Sequence, residues 1–145
     1  MKTWRKVRVF ISGPITPTGR LNPSTNEKQN QVAEFLDNVR QGITMATELI
    51  THGFAPYCPF VDFMYWFART PETPLPAGHT MQTCDLSWLR SADAILLLPG
   101  WETSTGVRGE LELAKKLGIP VFYSIAELIE YFGDQPLIDS GERHG

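Results

Sequence analysis

The stretch 92–118 constrains the fold more than any other part of the sequence. Its apolar run 93–98 is flanked by a charge and by Pro99 and Gly100, which is typical of a buried strand of a parallel sheet. The hydroxyl- and glycine-containing segment 104–106 then opens a predicted helix that runs to the end of the stretch. Because backbone N–H groups at a helix N-terminus can hold an anion or a sugar hydroxyl, we expect a ligand near this turn.

Glu110 is predicted to point inward from this helix. At about 100° per residue, one apolar stripe should face the sheet, and it consists of Val107, Leu111, Ala114 and Leu117. Glu110 lies at the edge of that stripe, whereas Glu112 lies on the opposite, solvated side. A carboxylate in the first turn also complements the helix dipole, but the dipole does not explain an inward direction. We therefore predict that Glu110 is a functional carboxylate.

Composition and charge argue against several classes of protein. The 145 residues fit one domain, the hydrophobic content of 42% supports a packed core, and the net charge of −3 argues against a broad nucleic-acid surface. No stretch is long enough to span a bilayer, and the apolar run near the N-terminus is too short for a signal peptide. Cys58 and Cys84 form no disulfide framework or metal pattern. We expect a cytoplasmic protein without a membrane or nucleic-acid partner.

The first third of the chain predicts a strand, a glycine loop and a helical region. Residues 6–12 are rich in β-branched and aromatic residues and predict the first strand. A capping box at 24–27 opens a helical pattern that ends at Gly53. The pattern fits one long helix or two helices with a break near Asp37 or Gly42.

An aromatic stretch follows the second predicted strand, which covers 54–59. The composition of 60–67 is typical of core packing or a dimer face, although one or two of its side chains could instead stack on a nucleobase. Asp62 within this stretch is a candidate polar ligand of a base or sugar. The proline-rich loop 69–78 is either a flap over the site or a surface connection.

A second inward carboxylate is predicted on the helix that begins at Thr80. The apolar stripe of this helix consists of Met81, Cys84, Trp88 and Ala92. Asp85 lies on that stripe, and an inward acid needs a partner or a role because burying an unpaired charge is costly. Asp85 either takes part in function or is structural, capping a neighbouring backbone or pairing with an arginine.

The remainder of the chain predicts one more strand and one more helix. Residues 119–123 form the strand, and a capping box at 124–127 opens a helix that ends at Gly133. We therefore place one domain at 1–133 and expect 134–145 to be a polar tail without regular structure. The alternation of strands and helices predicts an α/β fold with a mainly parallel sheet.

This predicted fold brings the two acids to one edge of the sheet. Glu110 lies early in a helix that follows a strand, and Asp85 lies early in a helix that precedes one. The loops 13–16 and 99–106 open at the same edge, where α/β proteins bind ligands. Paired carboxylates suit chemistry at an anomeric carbon, because one can attack C1 while the other manages a proton. A metal site is less expected, since the histidines are scattered: His52, His79 and His144.

Four segments together resemble the nucleoside 2-deoxyribosyltransferase superfamily: FISGPIT at 10–16, NVRQG at 38–42, DLSWLRSAD at 85–93 and LPGWETSTGVRGE at 98–110. The second pair also resembles elements of 2′-deoxynucleoside 5′-phosphate N-hydrolase. The resemblance covers most of the chain from Val7 to about Tyr123. It implies a flavodoxin-like three-layer sandwich that cleaves the bond between a nucleobase and C1′, with no cofactor.

The resemblance also implies roles for particular residues. Glu110 corresponds to the nucleophile, Asp85 to the acid beside the sugar and leaving base, and Ser104 to a contact of the 5′ group. The family commonly has a tyrosine where this chain has Phe10, so a hydroxyl that helps to position the glutamate is missing. Members often form dimers or higher oligomers, for which the aromatic stretch 60–67 would suit the interface. The full set of substrate-binding candidates is Phe10, Ser12, Gly13, Pro14, Ile15, Asp62, Gly100, Trp101, Ser104 and Gly106.

Two other functions are weighed against this one. A nucleotide-binding module without turnover is favoured by Phe10, whereas the inward acids favour an enzyme that acts on nucleosides or their 5′-monophosphates. The other alternative is a phosphoribohydrolase with a PGGxGTxxE loop. Pro99, Gly100 and Gly106 match part of that motif, but Trp101 replaces its second glycine.

Overall fold

Six strands and four α-helices make up the part of the chain that the computed structural model describes, namely residues 3–17, 27–68, 72, 75–134 and 136–139. The strands are β1 (Trp4–Lys6), β2 (Arg8–Ser12), β3 (Ala55–Tyr57), β4 (Ala94–Leu97), β5 (Val121–Phe122) and β6 (Leu137–Asp139). The helices are α1 (Glu27–Thr51), α2 (Met81–Leu89), α3 (Thr105–Leu117) and α4 (Ile125–Phe132). Two 3-10 helices cover Pro59–Phe67 and Trp101–Thr103.

The central sheet has the strand order β3-β2-β4-β5, and each neighbouring pair is parallel. Phe10 on β2 is in register with Tyr57 on β3 and with Ile95 on β4. The chain thus adds β3 on one side of β2 and later adds β4 on the other, which places the topological switch point between β2 and β4. The predicted α/β architecture is confirmed: the fold is a flavodoxin-like three-layer sandwich.

Alternate residues of β2 face two different cores. Ile11 packs in a core with Leu49 of α1 and Leu128 of α4. Phe10, the preceding residue, packs in a second core with Leu89 of α2 and with residues of α3. Because successive side chains of a strand point to opposite faces, α1 and α4 cover one face of the sheet while α2 and α3 cover the other.

The first strand and the C-terminal segment differ from their predicted forms. The predicted strand 6–12 is divided at Val7, whose N–H donates to the carbonyl of Pro136 at 3.3 Å. β1 then pairs antiparallel with β6 in a separate two-stranded sheet. The expectation that the segment from 134 onward lacks regular structure is therefore wrong for 137–139, where backbone pairing with β1 and the packing of Ile138 against the core order the chain.

Asp93 ties this small sheet to the central one. Its carboxylate accepts hydrogen bonds from Arg5 on β1 at 2.9 Å and from the backbone N–H of Arg8 at 2.8 Å. The carboxylate is buried, so the Arg5 charge compensates the cost of removing it from water. The aspartate that ends the DLSWLRSAD segment is thus part of the framework and lies at the start of β4.

Helix ends follow the predicted caps in the described residues. The side chains of Thr80, Ser104 and Ser124 accept backbone N–H bonds at the first turns of α2, α3 and α4. Gly53 has a φ of 86° just beyond α1, as a C-terminal stop requires. The predicted box at 24–27 begins outside the described residues. α1 is a single helix from residue 27 onward, which decides between the two forms left open.

The buried faces of α2 and α3 differ in part from the predicted stripes. On α3, Val107, Glu110 and Ala114 are buried, whereas Leu117 is exposed because it lies in the last turn beyond the sheet. On α2 the buried residues are Asp85 and Leu89. The predicted stripe is wrong for Cys84 and Trp88, which are exposed, whereas the inward direction of Asp85 and the burial of Ala92 are confirmed. No helix in the described ranges combines the length and the apolar character needed to cross a membrane.

Gly42 allows α1 to approach the first 3-10 helix closely. A Cβ at this position would clash with the ring of Phe60 and lie 2.8 Å from its Cβ. Phe60 is itself buried in the core beneath α1. The glycine that the sequence offered as a break in the helix is therefore a packing position inside an unbroken helix.

We expect Gly42→Ala to destabilise the protein by about 1 kcal/mol or more, because the cost of overpacking against Phe60 exceeds the helix propensity gained. The matched control is Gly109→Ala in α3, where a Cβ would meet its nearest atom, Nε2 of Gln82, at an ordinary 3.5 Å. The control should gain about 0.5–1 kcal/mol. Chemical denaturation of both variants measures these changes, and a stabilised Gly42→Ala would contradict the packing.

Candidate active site

A cavity of about 370 Å³ opens at the carboxyl ends of β2 and β4. The loop after β2, the first half of α2 and the N-terminus of α3 form its walls. Its described lining consists of 13–16, Gln82, Asp85, 103–107 and Glu110. The cavity therefore lies at the switch point of the sheet, where open α/β sheets bind ligands.

Glu110 lies in the cavity wall on the first turns of α3. Its side chain is only 6% exposed, and Oε2 accepts a hydrogen bond of 2.8 Å from the hydroxyl of Ser12. Burial raises the pKa of Glu110 to about 7, the charge of Asp62 adds to the rise, and the bond from Ser12 opposes it. Near neutral pH this carboxyl is therefore close to half ionised. The inward direction predicted for Glu110, and the exposure predicted for Glu112, are confirmed.

Asp85 lines the same cavity from α2. It is 6% exposed, and its Oδ1 accepts a hydrogen bond of 3.3 Å from the hydroxyl of Tyr57. Burial raises the pKa of Asp85 to about 8, helped by the hydrogen bond and charge of Asp62 and then by the charge of Glu110. None of these neighbours is an arginine or a helix-end backbone group. The side chains that act on Asp85 thus favour its protonated form.

Asp62 lies behind Asp85 on the first 3-10 helix. Its side chain is 9% exposed and lies close enough to that of Asp85 for the two acids to shift each other's pKa. Burial raises the pKa of Asp62, while Asp85 opposes the rise. Its Oδ2 is buried and lacks a hydrogen-bond partner within the described part of the chain. Asp62 is not among the described residues that line the cavity.

Hydroxyl groups reach both cavity acids from the sheet. Phe10 is fully buried and stacks on Tyr57 with ring centroids 5.4 Å apart. Ser12, two residues further along β2, faces the same side and donates to Glu110. Phe10 and Ser12 are both fully buried, and neither is among the described residues that line the cavity. The substrate contact predicted for them stays a prediction. Ser12 supplies the hydroxyl that Phe10 lacks.

The other predicted substrate-binding residues divide between two neighbouring cavities. Gly13, Ile15, Ser104 and Gly106 line the cavity of Glu110, and Pro14 lines both. Gly100 lines the second cavity, about 330 Å³ in volume, opposite Asn38 and other residues of α1. Trp101 is half-buried and packs near Tyr123, with ring centroids 6.1 Å apart. The structure does not place Trp101 in either wall.

Two residues of the site were not predicted from the sequence. Gln82 lines the cavity and its Nε2 donates to the carbonyl of Gly106 at 3.2 Å, which ties α2 to α3. Its spacing of three residues from Asp85 on one helix was a signal for a shared face. Tyr57 ends the edge strand β3, and its contact with Asp85 comes from tertiary packing that no local pattern indicates.

The described lining of the cavity contains carboxyl groups and no histidine or cysteine. Across the described ranges, no three side chains of His, Cys, Asp or Glu are arranged to hold a metal ion. His52 and His79 are exposed, and His144 lies outside the described residues. The cavity offers two carboxyls, those of Glu110 and Asp85, whose pKa values are both raised by burial, and pairs of carboxyls can act as nucleophile and acid.

We expect the stability of the protein to fall as the pH rises through the titration of Glu110. The folded state holds this proton up to about pH 7, whereas the unfolded chain releases it near 4.5, so the folded state loses stability between these values. Glu110→Gln removes this loss and should be more stable than the parent at pH 8 by as much as about 3 kcal/mol.

Denaturation with urea at a series of pH values measures this difference. Glu112→Gln, on the exposed side of the same helix, is the matched control and should keep the pH dependence of the parent. If the stabilities of parent and Glu110→Gln change in parallel from pH 4 to pH 9, Glu110 does not titrate as described.

Comparison with known families places the chain in one of them. Residues 7–123 match the family described as a domain of unknown function, DUF4406. The match covers most of the chain and includes every strand of the central sheet and both cavity acids. The chain belongs to this family. No curated protein matches it significantly.

Proposed function

We propose that this member of the DUF4406 family cleaves the N-glycosidic bond of a nucleoside or nucleoside 5′-monophosphate through Glu110. The observation that carries the proposal is the placement of Glu110 and Asp85 on separate helices in one cavity, both buried and both with raised pKa values. The resemblance of four segments to the nucleoside 2-deoxyribosyltransferase superfamily supports the same reaction.

The proposed reaction has two displacements at C1′. A carboxylate oxygen of Glu110 forms a bond to C1′ while the bond to the base nitrogen breaks, and Asp85 gives its proton to the departing base. This leaves a glycosyl ester on Glu110 and a carboxylate on Asp85. Water, or a second base in a transfer reaction, then attacks C1′, its proton passes to Asp85, and Glu110 leaves as the carboxylate.

Ser12 gives the proposed nucleophile its orientation. The hydrogen bond from Ser12 to Oε2 of Glu110 fixes that oxygen and stabilises the ionised form. In the resembling family a tyrosine hydroxyl helps to position the glutamate, and Phe10 cannot do so. With Ser12 in this role, the missing tyrosine is a weaker argument for the alternative function, a binding module without turnover.

The N-terminus of α3 suits the 5′ group of the substrate. Ser104, Thr105 and Gly106 line the cavity there, and backbone N–H groups at a helix N-terminus favour an anion. The described lining contains no lysine or arginine, so a phosphate would depend on these N–H groups and hydroxyls. We expect monophosphates to bind better than free nucleosides.

We expect Glu110→Gln to lower the rate of base release by at least about 10³-fold while ligand binding survives, because the amide keeps the shape but cannot form the ester. Asp85→Asn should lose less, since it retains the nucleophile and loses only proton transfer. Chromatography of free base from a panel of nucleosides and 5′-monophosphates measures the rates, and calorimetry measures binding.

Glu112→Gln is the control and should keep the activity of the parent. Near-normal turnover by Glu110→Gln on a substrate that the parent cleaves would exclude the nucleophile. Binding of nucleotides by the parent without release of base would favour the alternative, a nucleotide-binding module.

The proposal also includes the assembly and the location of the protein, namely a homodimer in the cytoplasm. Met64 and Tyr65 on the first 3-10 helix and Trp88 on α2 are each more than half exposed. Large apolar side chains on a surface favour association, and a second copy is the expected partner. The free thiols Cys58 and Cys84 fit a reducing compartment.

Light scattering at micromolar concentration should give the mass of a dimer or a larger assembly. Trp88→Ser should reduce that mass, because it removes exposed apolar area, whereas Glu112→Gln should not. A monomeric mass for the parent would contradict the proposed assembly.

A further inference from the structure

The ring of Tyr57, which the proposed reaction does not use, belongs to an aromatic stack beside the cavity. It stacks on Phe10 of β2 with ring centroids 5.4 Å apart and an angle of 18° between the planes. It also stacks on Trp88 of α2, with centroids 5.7 Å apart and an angle of 25°. Phe10 is fully buried, whereas Trp88 is more than half exposed. The stack therefore runs from the core to the surface and holds the ring of Tyr57 between a strand and a helix.

The stack brings the hydroxyl of Tyr57 to Asp85. The hydroxyl donates to Oδ1 of Asp85 at 3.3 Å, and Asp85 precedes Trp88 by three residues on α2, which makes the two residues neighbours on that helix. Burial raises the pKa of Tyr57, and the charges of Asp62 and Asp85 add to the rise, so the hydroxyl keeps its proton and remains a donor. Tyr57 is not among the described residues that line the cavity. Its route to the chemistry is therefore through Asp85 and not through the substrate.

We propose that Tyr57 is a positioning residue that fixes the carboxyl of Asp85 and stabilises the carboxylate formed when Asp85 gives its proton to the leaving base. The inference rests on the proposed function. While Asp85 is protonated, the hydroxyl of Tyr57 holds one of its oxygens by a neutral hydrogen bond. As the proton moves to the base nitrogen, negative charge develops on the carboxyl, and the bond becomes a stronger, charge-assisted one. An interaction that strengthens in the transition state accelerates the step.

Carbon-13 NMR of the aspartate carboxyls in the full chain tests the contact without any substrate. Tyr57 from β3, Asp62 from the first 3-10 helix and Glu110 from α3 face Asp85. The two acids oppose a negative charge on Asp85, whereas the hydroxyl favours one. Tyr57→Phe keeps the stacked ring and removes the hydroxyl, so the pKa of Asp85 should rise by about 0.5–1 pH unit. Asp85→Asn identifies the signal, and Tyr131→Phe, at an exposed position of α4, is the control and should leave this pKa unchanged.

The kinetics of base release test the role in the reaction. Tyr57→Phe should lower kcat by about 10-fold and leave ligand binding unchanged, because the hydroxyl acts on the acid and not on the substrate. In an Asp85→Asn background the same substitution should change the remaining rate by less than about twofold, since the amide gives up no proton and develops no charge. A merely structural role of Tyr57 would slow base release equally in both backgrounds.

The two proposals fail in distinguishable ways. An unchanged or lower pKa of Asp85 in Tyr57→Phe would overturn the role of Tyr57, and so would equal losses of rate in the two backgrounds. If the parent releases base and Tyr57→Phe keeps its kcat, the proposed function stands and the role of Tyr57 is overturned. If the parent releases no base from any nucleoside or 5′-monophosphate while the pKa of Asp85 rises as expected, the contact stands and the proposed function fails.

Discussion

The structure depends on the burial of three carboxyl groups, those of Asp62, Asp85 and Glu110, at one edge of the central sheet. Removing a carboxylate from water is costly, and no arginine or lysine is among the groups that act on these three. Burial raises the pKa of all three acids, and the hydroxyls of Ser12 and Tyr57 donate hydrogen bonds to Glu110 and Asp85. In the proposed reaction, these buried carboxyls, which lower the stability of the fold, provide the acid and the nucleophile.

The fold produces this arrangement by simple geometry. β2 and β4 are adjacent and parallel, so the loops that follow them open side by side. The alternation along β2 places Ser12 on the same face as Phe10, where α2 and α3 pack. Glu110 then meets Ser12 because it lies on the inward face of α3, in the second turn after the cap at Ser104. Each step from strand to cavity follows from parallel pairing and helical periodicity.

Much of this arrangement could be predicted from residue patterns. The inward direction of Glu110 followed from the 3.6-residue period of a regular helix, and the edge of the sheet followed from the order of strands and helices. The pattern failed for α2 because an apolar stripe was assumed to be buried. Trp88 instead lies outside, where it stacks on Tyr57, and Asp85 turns inward with Leu89.

Contacts between distant segments could not be predicted in the same way. Asp62 lies on a 3-10 helix and Asp85 on α2, and no pattern in either segment indicates that these two acids lie close together. The pairing of β6 with β1 joins the two ends of the described chain, and a three-residue segment is too short to show a strand pattern in the sequence. Tyr57 reaches Asp85 across two elements. These contacts depend on tertiary packing, which the residue pattern of a single segment does not indicate.

A covalent bond between Glu110 and the sugar is the central claim, and peptide mass spectrometry tests it most directly. A fluorine at C2′ of the substrate destabilises the positively charged transition state and slows the turnover of the ester, so the intermediate should accumulate. We expect the fluorinated glycosyl group on the peptide that contains Glu110, and no such label in Glu110→Gln. Release of base from the fluorinated substrate with no label on the protein, or with the label on another residue, would contradict the account.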